Sequence, residues 1–170
     1  MADATIIDGR SLAAAVKEEL SNRITALNGN GIQVRLNAVL VGGDQGAQLY
    51  AKNQASACSD VGIDYTLHEM PEGSTQKEVL EQIDALNNDS QVTAIMVHMP
   101  LPKGICDSDI QERISVEKDV EGVNPANIGN IVFGRRSLVP CTALAVMEMI
   151  ESTGITLQGA RAVCVGASTI

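Results

Sequence analysis

The chain has 170 residues and a mass of 17.9 kDa, and 45% of its residues are hydrophobic, so it can bury a core and is not an intrinsically disordered tail. Twenty-one Asp and Glu residues against twelve Lys and Arg give a net charge of −9, which excludes a nucleic-acid partner because so acidic a chain cannot neutralise phosphates. No apolar run approaches the roughly 18 residues of a membrane span, and the start lacks the pattern of a signal peptide, so we expect a cytoplasmic protein with no membrane partner.

The first half of the chain alternates between helical and strand patterns. Apolar residues at helical spacing follow Ser11, which is predicted to be the N-cap of a first helix that ends at Gly29. Thr75 and Glu78 form the pattern of a capping box ahead of another helix. The elements predicted in this half are a helix over 12–27, a strand over 34–41, a helix over 45–61, a strand over 63–67 and a helix over 79–86.

The second half continues the alternation but contains a long loop. An apolar run over 92–97 is typical of a parallel strand that is covered on both faces. A short helix is predicted over 107–114, and residues 115–140 are predicted to be a loop rich in Gly, Asn and Pro. Thr142 is predicted to cap a helix that runs to Ile150, and residues 161–165 are predicted to be a closing strand.

Strands that alternate with helices predict an α/β fold, specifically a three-layer α/β/α sandwich with a mostly parallel sheet. The loop over 115–140 is the best domain boundary. We therefore expect one complete domain over 1–140, followed over 141–170 by the first helix and strand of an incomplete second domain. The strand predicted over 161–165 runs into a turn that contains Gly166. A strand followed by such a turn usually leads into the helix of a βα unit.

Polar and aromatic residues follow two of the predicted parallel strands. Tyr50 and Gln54 lie four residues apart on the helix after the first strand, hence on one face, and His98 follows the apolar strand over 92–97. Because parallel strands end at the same edge of a sheet, these residues can line one cleft for a small molecule. The same residues also fit a core tyrosine, a hydrogen-bonded histidine and, for Glu121, a solvated loop charge, so spacing alone indicates no specific reaction.

The four cysteines stand far apart without a nearby histidine cluster, which disfavours a metal site and indicates reduced thiols. They are Cys58, Cys106, Cys141 and Cys164.

Several short motifs occur in order and at fitting separations along the whole chain. They are Ile6-Ile7-Asp8-Gly9, Val39-Leu40-Val41-Gly42, Gln48-Leu49-Tyr50, Pro100-Leu101-Pro102, Lys118-Asp119-Val120, Asn127-Ile128-Gly129, Pro140-Cys141-Thr142 and Gly166-Ala167-Ser168. Together they resemble the bifunctional methylenetetrahydrofolate dehydrogenase/cyclohydrolase family of the FolD type. The resemblance implies a folate-binding catalytic domain, a Rossmann domain for NADP or NAD, and a homodimer in the full-length form.

The resemblance also implies roles for particular residues. A tetrahydrofolate derivative is the substrate, its pterin ring stacks on Tyr50, and Pro100 and Leu101 belong to the substrate site. The turn of Gly166, Ala167 and Ser168 belongs to the cofactor site.

The chain departs from the family pattern at Gln45-Gly46-Ala47, at Ala143 and at three polar positions of the implied site. Gln54 replaces a lysine that handles protons, His98 replaces a glutamine, and Glu121 replaces an aspartate that holds the amino edge of the pterin. Gln54 has no proton to transfer, whereas His98 brings an imidazole that titrates near neutral pH and can take over that role. Glu121 keeps the negative charge on a longer side chain.

The resemblance implies NAD(P)-dependent oxidation of 5,10-methylenetetrahydrofolate to 5,10-methenyltetrahydrofolate, with cyclohydrolase activity weakened or lost through Gln54. Two alternatives stay open at this point. One is a non-catalytic folate-binding or assembly protein, and the other is a variant that acts on a different pterin one-carbon carrier.

Overall fold

The computed structural model describes residues 6–43 and 45–166 and contains a parallel sheet of three strands. The strands are β1 (Arg35–Val41), β2 (Asp64–Met70) and β3 (Ala94–Val97), in the order β2-β1-β3. In the register, Val39 lies opposite His68 on one side and Val97 on the other. β1 is the central strand, and six of its seven residues are buried. Burial on both faces is expected for a central parallel strand that is covered by helices.

Six helices accompany the sheet. They are α1 (Gly9–Gly29), α2 (Gln45–Val61), α3 (Gln76–Asn88), α4 (Asp107–Arg113), α5 (Pro125–Val132) and α6 (Cys141–Glu151). Among the described residues, no helix combines the length and the hydropathy that crossing a bilayer requires.

The core is divided between the two faces of the sheet. On one face, Val39 and Ile95 of the strands pack with Ile83 of α3 and Ile110 of α4, and all four side chains are buried. On the other face, Ala38 and Met96 pack with Cys58 of α2, and α1 lies against α2. Helices therefore cover both faces, and the predicted three-layer sandwich with a parallel sheet is confirmed.

The helix starts agree with the sequence in one case and correct it in two. The capping box of Thr75 and Glu78 is present at the start of α3. The N-cap of α1 is Asp8 and not Ser11, because the Asp8 carboxylate accepts hydrogen bonds from the backbone N–H groups of Arg10 and Ser11. Thr142 is not the cap of α6, which already begins at Cys141, with Pro140 in the N-cap position and no side-chain capping bond.

The prediction of a continuous loop over 115–140 is wrong, because α5 lies within it. The side chain of Asn124 accepts a hydrogen bond from Ala126 N at 2.8 Å, and Pro125 occupies the first helical position, where its missing N–H costs nothing. Asn124 and Pro125 therefore favour a helix start, although the glycine and asparagines of the segment favour a loop.

The prediction of a strand over 161–165 is also wrong for the described residues, which show no regular structure there. Val163 and Val165 are 88% and 99% exposed. A strand requires hydrogen bonds to a neighbouring strand, and the described part of the chain offers this segment none. The division into a domain over 1–140 and a second one from 141 stays a prediction.

Candidate functional site

The candidate site lies at the carboxyl edge of the sheet, where β1 and β3 end. The chain leaves β1 through Gly42, which has a φ of +66° and donates its N–H to Met70 O at 2.8 Å. A Cβ on Gly42 would lie 3.0 Å from the Cβ of Glu72, so only glycine fits this turn without displacement. The turn leads into α2 and places the first turns of that helix beside the end of β3.

A pocket of about 390 Å³ opens between α2, the end of β3 and the segment after α4. Its walls are formed by Gly46, Ala47, Tyr50, Met96, Val97, His98, Met99, Pro100 and Glu121. Four of the predicted site residues, Tyr50, His98, Pro100 and Glu121, thus meet in one pocket.

Two rings form one wall of this pocket. The ring centroids of Tyr50 and His98 are 5.6 Å apart at an interplanar angle of 83°, an edge-to-face contact. Tyr50 is 56% exposed, so part of its side chain is accessible to a ligand. His98 N donates to Val39 O at 2.9 Å, which holds the histidine backbone in line with the strand.

The imidazole of His98 is buried but incompletely paired. The residue is only 4% exposed, and its Nε2 has no hydrogen-bond partner among the described residues. Burial lowers the pKa of His98 below its ordinary value because the cation is harder to bury than the neutral ring. At neutral pH the ring is therefore mostly neutral and able to accept a proton.

Gln54 is not among the residues that line the pocket, but it contacts Met96, which is. Its Nε2 donates to Met96 Sδ at 2.8 Å, and Met96 is one of the lining residues. Its Oε1 is buried and finds no partner in the described part of the chain. An amide neither releases nor accepts a proton near neutral pH, so this position supplies only hydrogen bonding.

Glu121 contributes a carboxyl group to the pocket wall from the segment after α4. Its pKa is raised to about 7, first by burial, then by the negative charge of Asp119, while a hydrogen bond from the Val97 backbone partly opposes the rise. The carboxyl is therefore partly protonated near neutral pH, in contrast to the solvated loop charge that its sequence context suggests.

Sequence reasoning assigned no role to Asp119, the most deeply buried charged residue described. It is 0% exposed, and its Oδ2 accepts hydrogen bonds from Asn124 N and Asn127 Nδ2, both at 2.8 Å. Its Oδ1 is left without a partner within the residues that the structure describes. The asparagines at 124 and 127 could have indicated a structured segment around Asp119, since Asp and Asn both favour structured turns.

The remaining predicted site residues lie elsewhere. Leu101 packs against the apolar cluster of α3 and α4. Gly166 is exposed with a φ of +126°, and Ala167 and Ser168 lie outside the described residues. Across residues 6–43 and 45–166, no group of three or more His, Cys, Asp or Glu side chains is arranged to hold a metal ion.

Comparison with known proteins bears on what this pocket binds. Residues 7–121 match the family model described as "Tetrahydrofolate dehydrogenase/cyclohydrolase, catalytic domain". The chain is 41% identical over 167 residues to the Bifunctional protein FolD of Moorella thermoacetica, an alignment that covers 98% of this chain and 60% of that protein. The chain thus spans about three-fifths of the length of the curated relatives it matches.

Solved structures agree with the sequence comparison. The bifunctional enzyme FolD of Campylobacter jejuni superposes with a TM-score of 0.96 at 40% identity, covering 98% of this chain and 59% of that one. A methylenetetrahydrofolate dehydrogenase-cyclohydrolase of Trypanosoma brucei, solved with NADP cofactor and inhibitor, gives a TM-score of 0.86 at 30% identity and covers 91% of this chain and 54% of its own.

Proposed function

This chain belongs to the tetrahydrofolate dehydrogenase/cyclohydrolase family, as its motifs predicted, and from that membership we propose that it binds a tetrahydrofolate derivative in the pocket of Tyr50, His98 and Glu121. The observation that carries the proposal is this meeting of an open aromatic ring, a buried imidazole and a carboxyl group at the carboxyl edge of the sheet. We propose that the protein serves the NAD(P)-dependent oxidation of 5,10-methylenetetrahydrofolate to the methenyl form.

The chemistry of the pocket suits the parts of a reduced folate. The exposed part of the Tyr50 side chain offers a stacking surface for a flat heterocycle. Glu121 offers carboxylate oxygens to the N–H edge of an amino-pyrimidine ring, a charge-assisted arrangement stronger than a neutral hydrogen bond. Pro100 closes the pocket next to them. These groups hold and orient the substrate, and positioning is the main protein contribution to a hydride transfer.

We propose that cyclohydrolase activity is weak or absent. Hydrolysis of a methenyl group requires that a proton be taken from the attacking water. Gln54 cannot take it, and its amide is held against Met96 Sδ. We propose that His98 is the base for any residual hydrolysis. Its ring is largely neutral, and its Nε2 has no hydrogen-bond partner among the described residues.

The dehydrogenase proposal needs NADP or NAD, and the T. brucei relative was solved with NADP. The described residues after α6 do not form a cofactor pocket by themselves, because they contain turns but no strand and are exposed throughout residues 152–166. The chain's own contribution is therefore the folate site. We further propose that 1–140 is the catalytic domain, that residues from 141 begin a cofactor domain bearing Gly166, Ala167 and Ser168, and that the complete protein is a cytoplasmic homodimer.

The test is an assay of both half-reactions in the chain extended by the remaining part of the M. thermoacetica relative, which the alignment does not cover. With methylenetetrahydrofolate and NADP or NAD in turn, we expect reduced cofactor to form and the methenyl product to accumulate. The matched control is Tyr50→Ala, which should lose turnover through lost substrate binding. Folate binding without turnover in this protein would favour the non-catalytic alternative, and rapid methenyl hydrolysis that His98→Ala leaves unchanged would overturn the role given to His98.

A further inference from the structure

The segment that carries Glu121 is fixed at its start by Lys118. The ammonium group of Lys118 donates to three backbone carbonyls at the end of α3, those of Leu86, Asn87 and Asp89, at 3.0, 2.7 and 2.8 Å. Ile95 N donates to Lys118 O at 2.7 Å, so the segment also lies alongside β3. The positive charge next to Asp119 in the sequence is therefore engaged at a helix end, where it complements the helix dipole.

The end of the same segment is fixed by the chain that leads into α6. A Cβ on Gly122 would lie 2.5 Å from the carbonyl carbon of Val139, so the two backbones are in contact. Cys141 Sγ donates to Val120 O at 3.4 Å. The short segment that carries Asp119 and Glu121 is therefore anchored by tertiary contacts at both ends.

The charge on Asp119 is balanced only by neutral donors. Both of its hydrogen bonds come from amide N–H groups, of Asn124 and Asn127, and both reach the same oxygen. Asn127 is itself held by Ser137, whose hydroxyl donates to its Oδ1 at 2.7 Å, so these donors are fixed. The buried carboxyl of Asp119 acts electrostatically on its neighbours and contributes to the raised pKa of Glu121.

The titratable groups that face Glu121 are Asp119 on its own segment, Cys141 on α6, and His98 and Tyr50 across the pocket. The residues that line the pocket include no lysine or arginine. Burial raises the pKa of Cys141 and lowers the pKa of His98, so both groups are largely neutral near pH 7. Asp119 is thus the neighbouring charged group that, after burial, raises the pKa of Glu121.

We propose that Asp119 is a positioning residue that acts through Glu121, so that Glu121 carries a proton in the empty pocket and releases it to solvent when a ligand with an N–H edge binds. The inference rests on the proposed folate site and adds to it a proton-linked mode of binding. The ligand's N–H groups donate to the ionised carboxylate, so binding and deprotonation of Glu121 favour each other. Affinity then rises with pH, in contrast to a site whose aspartate is already ionised.

The experiment is calorimetric titration of the chain with tetrahydrofolate between pH 6 and 8, in pairs of buffers with different ionisation enthalpies. For a carboxyl that titrates near pH 7, we expect affinity to rise about tenfold over this range and about three-quarters of a proton to be released at pH 6.5. Glu121→Gln should abolish both effects. Asp119→Asn keeps an oxygen for the two amide donors and removes the charge, so its affinity at pH 6 should rise several-fold toward the value at pH 8.

Each outcome decides between the two proposals. Binding that is independent of pH, or proton release that persists in Glu121→Gln, would overturn the role of Asp119 and leave folate binding intact. No binding at any pH would overturn the proposed function and this inference with it. Should Asp119→Asn fail to fold, as judged by circular dichroism, the proton count of the unaltered chain and of Glu121→Gln still decides whether Glu121 releases a proton on binding, and a count that is equal in the two proteins overturns the proposal.

Discussion

The two ends of the sheet differ in how their polar side chains are paired. At the amino end, Arg35 donates from its two terminal nitrogens to Gln91 Oε1 and Gln33 Oε1, and its Nε lies 3.3 Å from Asp64 Oδ2, an ion pair although not aligned as a hydrogen bond. Thr93 Oγ1 bonds both the N–H and the C=O of Arg35. Most polar groups here are paired with one another, although Arg35 Nε and Tyr65 Oη are buried without a hydrogen-bond partner among the described residues.

At the carboxyl end, buried polar atoms are left without partners in the described part of the chain. They are Gln54 Oε1, His98 Nε2 and Asp119 Oδ1. Each such atom costs folding stability of about 1–3 kcal/mol when nothing pairs with it. A ligand that supplies the missing hydrogen bonds would offset this cost, and at the carboxyl end His98 lines the pocket in which a ligand can do so.

The largest expected effect comes from restoring an amine at the carboxyl end. Gln54→Lys places a titratable group one helical turn from Tyr50, and a positioned acid-base group contributes about a hundredfold or more to a proton-transfer step. We expect the rate of methenyltetrahydrofolate hydrolysis to rise by about that factor, measured from the loss of methenyl absorbance. The control is Asn53→Lys, an exposed neighbour on α2. Equal rates in the two variants would show that position 54 does not face the reacting carbon.

The next largest effect is on tetrahydrofolate affinity, and it distinguishes the pocket carboxyl of Glu121 from the exposed carboxyl of Glu117. Glu121→Ala removes the acceptor for the ligand's N–H edge and should weaken tetrahydrofolate binding about thirtyfold at pH 8, as for the loss of a charged hydrogen bond. Glu117→Ala removes an exposed carboxylate four residues earlier and should leave the dissociation constant unchanged. Calorimetry on both variants measures the difference, and a similar loss in both would remove the special status of Glu121.

The pH dependence of stability sharpens the contrast further. Because the pKa of Glu121 is raised from 4.5 to about 7 in the folded chain, its favourable contribution is complete below pH 4.5 and is lost as pH rises through 7. Relative to Glu121→Gln, the chain should lose about 2 kcal/mol of unfolding free energy between pH 4 and 8, less than the full shift implies because the group is half-buried. Urea unfolding at both pH values measures this, and parallel pH curves for the two proteins would contradict it.

The smallest effect belongs to the amino end. Arg35→Met keeps much of the side-chain volume but removes the paired charge, and we expect the unfolding free energy to fall by about 1 kcal/mol. Folate affinity should not change, because Arg35 lies at the opposite end of the strand from the pocket. A change in affinity larger than the change in stability would break the division between the two ends.

Much of the fold could be predicted because its signals are local. The periodicity of α2 predicted its bounds, Gln45 to Val61, and Thr75 with Glu78 predicted the start of α3. The start of α1 was missed although Asp8 stands three residues before Ser11, since two capping residue types compete there. The strand expected over 161–165 could not be judged from its own residues, because a strand depends on a partner.

The site was predictable to the extent that topology places it. Parallel strands bring Tyr50 and His98 to one edge, and the structure shows their rings in contact. The burial of Asp119 could not be foreseen, since an aspartate next to a lysine is normally solvated. Only the tertiary contacts of Lys118 with the end of α3, and of Asp119 with Asn124 and Asn127, make it a buried charge.

The most direct test of the account is to measure stability and folate binding together in His98→Leu. This change replaces an unpaired buried ring at the carboxyl end by an apolar side chain of similar size. The account predicts an unfolding free energy that is unchanged or higher and tetrahydrofolate binding that is weakened at least tenfold. A destabilised protein that binds tetrahydrofolate as tightly as the unaltered chain would contradict it, because His98 would then serve the fold and not the ligand.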